Sequence, residues 1–252
     1  MKEQLKVVIN ADDFGINEDV TCEIEKMIDD GCISSTTIMA NGQCLNEVKQ
    51  FAALHPEISF GIHFCLSEFR SITNSEVLKS FGIVNEDGDF VHKQIFRKKH
   101  FDKTLLQAIK EELLAQIDII KGLNVPISHA DSHHHVHTIP QLQKIFIDVL
   151  LQNGIQKVRL GHEFKGLRAK RHLVRWFNRY HLNARYKSIF RTTDEFMSYS
   201  TFCNYPRSKC STIELMCHPG HPGSQYMKEM ELVKSKNVII LPEIKLINYN
   251  EL

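Results

Sequence analysis

Two adjacent carboxylates and three histidine-bearing stretches carry the chemistry in this sequence. Asn10-Ala11-Asp12-Asp13-Phe14-Gly15 places a carboxylate pair directly after a short apolar run. Side chains alternate along an extended chain, so Asp12 and Asp13 point to different places. One can bind a cation while the other takes protons. Gly61-Ile62-His63-Phe64 ends a second apolar run in a histidine. Neutral imidazole is the commonest side-chain metal ligand. His129-Ala130-Asp131-Ser132-His133-His134-His135-Val136-His137 gathers five of the chain's 14 histidines. Read as an extended segment, Asp131, His133, His135 and His137 share one face, and His134 points to the other. A catalytic metal site typically uses about three protein ligands and keeps a position open for water. The remaining imidazoles are then left to support the ligands or to bind substrate. Met216-Cys217-His218-Pro219-Gly220-His221-Pro222-Gly223 ends a late apolar run in His218, locked into a turn by Pro and Gly. That placement suits a general acid.

Taken together, strand ends carrying Asp, His and His form an N/O metal site open to Zn²⁺, Mg²⁺, Mn²⁺ or Co²⁺. Such an ion activates water and polarises a carbonyl. The spare carboxylate supplies a base and His218 an acid. This is the equipment of metal-assisted hydrolysis. An amidohydrolase is a rival, because His135-Val136-His137 forms an HxH, although that motif usually follows a first strand. A protein that keeps this cluster only to bind a ligand, without catalysis, is a second rival.

These residues need a frame that brings strand ends together. Strand-like runs fall at Lys6–Ala11, Ser34–Ala40, Ile58–Leu66, Ile127–His133, Lys157–Leu160, Ile213–Cys217 and Val238–Leu241. Helical patterns alternate with them. Asn17 can cap a helix over Glu18–Asp30 that Gly31 ends. Leu45–Leu54 stops before Pro56. Leu105, Ile109, Leu113, Ile117 and Ile120 mark one face of a long amphipathic helix. Gln141–Gln152 and Tyr226–Lys234 complete the set. Strands separated by helices pair in parallel through right-handed crossovers. About seven such units predict an α/β fold, a complete or distorted (β/α) barrel, with an open doubly wound sheet as the alternative. Active sites of both form at the C-terminal ends of the strands, where all four stretches lie. Neither GxGxxG nor GxxxxGK[ST] occurs, so the usual nucleotide-binding turns are missing.

The predicted organisation is a single domain over 1–252 with loop insertions near 70–103 and 163–194. Within the second insertion, Phe164–Thr193 holds nine Lys/Arg and no acid. That stretch reads as a helical pair or lid, or as a contact for an anionic ligand or a partner subunit. The whole chain nevertheless balances 31 Lys+Arg against 30 Asp+Glu, so no nucleic-acid partner is expected. No apolar run approaches the ~18 residues of a membrane span. The apolar run Val7-Val8-Ile9 is too short for a signal-peptide core. Seven cysteines without a CxxC read as reduced thiols, predicting a cytoplasmic protein.

The NADDFG, GIHF, HADSHHHVH and MCHPG motifs, with ISSTTIMANG at Ile33–Gly42, resemble the YdjC-like carbohydrate deacetylases, a family that includes chitooligosaccharide deacetylases. The motif order spans nearly the whole chain. The resemblance implies a distorted (β/α) barrel related to polysaccharide deacetylases. It implies removal of N-acetyl groups from amino sugars or oligosaccharides with a divalent cation, most often Mg²⁺, and is compatible with a homodimer. Carried over motif by motif, Asp13, His63 and His133 bind the metal, Asp12 is the base and His218 the acid. The two Asp roles rest on their order and could be exchanged. Arg159, near the end of a later strand, is a candidate to orient the base or the substrate, and His137 is assigned with it to the substrate.

Overall fold

β1 (Leu5–Phe14) is buried from Val7 onward and forms the centre of a seven-stranded sheet. The structure is a computed structural model that describes residues 4–97, 101–161, 173–204 and 210–252. The other strands are β2 (Ser35–Ile38), β3 (Ser59–Phe64), β4 (Ala130–Ser132), β5 (Glu195–Ser198), β6 (Thr212–Cys217) and β7 (Ile244–Ile247). Their order is β4-β3-β2-β1-β6-β5, and β7 pairs with the first half of β1. Every strand pairing is parallel. Segment 157–159 spans the gap between the two edges. Val158 bridges Ala130 of β4, and Lys157 bridges Arg191, just before β5. The result is the expected distorted barrel.

The helices are α1 (Glu18–Asp29), α2 (Leu45–Leu54), α3 (Glu76–Ser80), α4 (Lys103–Gly122), α5 (Pro140–Gln152), α6 (Leu173–Ile189), α7 (Tyr199–Asn204) and α8 (Ser224–Lys234). The Asn17 side chain accepts from Val20 N at 3.0 Å and caps α1, whose first turn carries Glu18 and Asp19 against the helix dipole. α4 buries Leu105, Ile109, Leu113, Ile117 and Ile120 on one face, as the periodicity requires. The same face buries Glu112 and Gln116, which the apolar pattern does not reveal.

Three expected elements differ. Lys157–Leu160 makes isolated bridges rather than a strand. Val238–Leu241 is a turn, because Ile240 N bonds to Lys236 O and Leu241 N to Val238 O, leaving neither amide for a sheet. The last strand is instead Ile244–Ile247, buried at its two ends. The extended reading of His129–His137 also fails. β4 stops at Ser132, and His133–Thr138 forms a 3-10 turn with His134 at φ 53° and His135 at φ 55°. Alternation holds only along a strand, so the predicted common face is lost at His133. In the basic stretch Phe164–Thr193, residues 164–172 lie outside the described residues, and α6 covers much of the rest.

Candidate active site

β1 delivers both carboxylates through an irregularity. Its pairing with β2 shifts register between Ala11 and Phe14, and Asp13 adopts φ 70°. A bulge of this kind re-aims side chains at a strand end. Asp12 turns toward Arg159, and Asp13 turns toward three imidazoles.

Asp13 Oδ1 lies 3.1 Å from His63 Nε2 at the end of β3 and 2.8 Å from His133 Nδ1 just after β4. Asp13 Oδ2 lies 3.0 Å from His221 Nε2. Each of the first two rings is gripped on its other nitrogen. His63 Nδ1 lies 2.6 Å from Asp131 Oδ1, and His133 Nε2 lies 2.9 Å from Glu68 Oε2. His63, Asp13 and Asp131 are essentially closed to solvent. Burial opposes ionisation of Asp13, but the charges of His133 and His63 hold it well below the usual carboxylate range. Burial likewise opposes protonation of His63 and His133. Asp131 and Asp13 raise the first well above the ordinary value, and Asp13 raises the second to about 9.

The donor set fits a divalent cation. One ligand atom each from Asp13, His63 and His133 fall within 4.8 Å of one another. Imidazoles backed by carboxylates are the usual form of metal-bound histidine. Asp12, His63 and Asp131 also converge. There, however, the Arg159 guanidinium already claims both carboxylates, and its charge repels a second cation.

Arg159 is fully buried. Nη1 and Nη2 donate to Asp12 Oδ2 and Oδ1 at 2.7 and 2.6 Å, and Nε donates to Glu214 Oε1 at 2.8 Å. Its Nη1 also lies 2.5 Å from Asp131 Oδ2. Burial pushes the Asp12 carboxyl up, and Arg159 more than reverses that, so Asp12 stays ionised. Glu214 is pushed up to about 7 by burial, which Arg159 only partly offsets, and its Oε2 accepts from the Tyr249 hydroxyl at 2.6 Å. Gly61 allows the ring of His129 to close this layer from below. A Cβ there would lie 2.6 Å from His129 Cε1. His129 Nε2 in turn lies 3.2 Å from Asn10 Oδ1.

His218 follows β6. Its Nε2 lies 3.9 Å from Asp12 Oδ2, while its backbone N donates to Glu229 Oε2 at 3.1 Å and its Nδ1 lies 3.4 Å from the same oxygen. Burial lowers the His218 pKa, but Glu229 and then Asp12 raise it above the ordinary value.

Asp12, Asp13, His63, His133 and His218 thus line one cavity of about 420 Å³, together with Glu68, Phe69, Lys93, His221 and Tyr226. A larger cavity, about 700 Å³, opens beside the start of β3, but its wall holds none of these strand-end groups. Neither of the two residues assigned to the substrate lines this cavity. Arg159 has no exposed surface with which to meet a ligand and touches Asp12 instead. His137 is 1% exposed, with Nδ1 2.5 Å from Ser132 Oγ, because the 3-10 turn folds its ring into the core. Glu68 and Glu229 join the site without a local signal in the sequence, whereas His221 stands in the late histidine stretch beside His218. Glu214 had one, as a carboxylate in the apolar run of β6.

The YdjC-like protein family matches residues 6–240. A carbohydrate deacetylase of Vibrio vulnificus is 33% identical over 58% of this chain and 55% of its own length, so the chain spans about half of that relative. A carbohydrate deacetylase of Vibrio campbellii is 26% identical over 95% of the chain and 91% of its own length. A crystal structure from Enterococcus faecalis, of a protein provisionally named for cellobiose-phosphate cleavage, shares the fold with a TM-score of 0.78 at 24% identity, covering 99% of each chain. Among the described residues, no helix is long and apolar enough to cross a membrane. With its motifs in order and the family match running nearly end to end, the chain belongs to the YdjC-like protein family.

Proposed function

We propose that the protein is a metal-dependent hydrolase that removes N-acetyl groups from amino sugars or oligosaccharides. The observation that carries this reading is the convergence of Asp12, Asp13, His63, His133 and His218 on one cavity. The activity named for the Vibrio relatives points the same way. Phe69 and Tyr226 add flat aromatic surface to the wall, suited to the apolar face of a sugar ring.

Asp13, His63 and His133 would hold the cation, whose chemistry when bound is to polarise the amide carbonyl and activate water. Two imidazole donors favour Zn²⁺ or Co²⁺ over Mg²⁺ and Mn²⁺, which prefer oxygen ligands. Asp12, kept ionised by Arg159, accepts a proton as water attacks the acetyl carbon. His218, whose pKa Glu229 and Asp12 raise against the effect of burial and whose ring Glu229 fixes, gives a proton to the departing sugar amine. The C–N bond breaks, leaving acetate and a free amine. The test is acetate release from a panel of N-acetylated sugars, with chelator and metal add-back. Chelator-sensitive release is expected. A folded, metal-loaded protein that binds a sugar without releasing acetate would instead be a glycan-binding relative.

A further inference from the structure

We propose that Glu68 is a positioning residue for His133, gripping Nε2 so that Nδ1 faces Asp13 and the cation site. This rests on the metal-site reading above. An imidazole presents one nitrogen reliably only when the other is tied. Asp131 ties His63 from inside the core, and Glu68 ties His133 from the cavity, at 2.9 Å and with half of its own side chain exposed. The two ligands are therefore held alike but from opposite sides.

The loop that carries Glu68 is built to hold it still. Gln116 on α4 accepts from Cys65 N at 2.9 Å and donates to Cys65 O at 2.7 Å. Glu112, one turn earlier, accepts from Ile72 N at 3.0 Å and Thr73 N at 2.9 Å. Both side chains are fully buried. The loop is thus clamped on each side of Glu68, and Cys65 Sγ bonds to Glu68 O at 3.0 Å. Ser67 Oγ meets His134 Nδ1 at 3.0 Å, and Lys93 Nζ donates to His134 O at 3.0 Å, which together fix the turn after β4. Glu68, His133 and His134 also cluster closely enough to invite a second cation. The nearby Lys93 charge argues against it, as does the demand that His133 serve two ions at once.

The test titrates Co²⁺ into metal-free wild type, Glu68→Ala, Glu68→Gln and His133→Ala, following visible absorption and competition with a chelator. Circular dichroism checks that each variant is folded. Wild type is expected to bind one Co²⁺ per chain. Glu68→Ala should bind about 10–100-fold more weakly, with altered band intensity. Glu68→Gln should recover most of the loss, because its amide oxygen can accept the same N–H. Wild-type affinity in Glu68→Ala beside weak binding in His133→Ala would overturn the Glu68 role while leaving the metal site standing. A second Co²⁺ that only Glu68→Ala loses would make Glu68 a ligand and overturn it too. Absence of Co²⁺ binding in wild type would sink the metal site and the Glu68 role together.

Discussion

Arg159 and Asp12 meet through two parallel hydrogen bonds, 2.7 and 2.6 Å long, although 147 residues separate them. This fork fixes the plane of the carboxylate that faces the cavity. It also leaves one guanidinium neutralising a layer that contains Asp12, Asp131 and Glu214.

Removing that guanidinium strands buried carboxylates. Arg159→Met is expected to cost ~3–5 kcal/mol in urea unfolding, since breaking a buried ion pair exceeds its net worth. Arg159→Lys should recover part of the stability but little of the acetate release, because an ammonium cannot hold both oxygens. Wild-type stability in Arg159→Met would refute the role.

His63→Ala should abolish activity and bound metal without unfolding the protein. Metal analysis beside circular dichroism checks both halves. Full activity in this variant would sink the metal assignment.

Metal binding should release protons. Burial opposes the charge on His133, but Asp13 raises its pKa from 6.5 to about 9 in the metal-free protein. A cation must displace that proton, so affinity is expected to climb between about pH 6.5 and 9. The sign for metal-free stability is opposite. The His133 contribution is complete below the unfolded pKa and is lost as pH rises through the folded value, so this group makes metal-free stability decline across the same window. Calorimetry in buffers of different ionisation heat reads the first, and urea unfolding against pH reads the second.

His218→Ala should lower kcat by about 10²–10⁴-fold if it donates the leaving-group proton. Glu229→Gln removes a carboxylate that raises the His218 pKa, so the alkaline limb of the rate profile should move to lower pH. An unmoved limb would separate Glu229 from the acid.

Gly61→Ala drives a methyl group into the His129 ring, 2.6 Å away. A loss of about 1–3 kcal/mol is expected from overpacking, measured by denaturant unfolding.

Much of this protein was legible in one dimension. A continuous apolar run located β1, which is buried on both faces, and period-3.6 patterns located α2 and α4, because each reports what a single element buries. The strand-end positions of Asp12, Asp13, His63, His133 and His218 followed from the same reading, as did the family resemblance. Tertiary structure decided what those residues touch. The turn after β4 takes His134 and His135 to positive φ, which the histidine run could not announce, and it sends His137 into the core. Glu68, His221 and Glu229 enter the site from loops and a helix whose placement depends on the sheet order. Arg159 acquires its meaning only when segment 157–159 closes the ring beside β4. Local sequence fixes which face of an element is apolar. Contacts between strand ends arise from how distant elements are ordered around the barrel, and that ordering is a property of the whole packed chain.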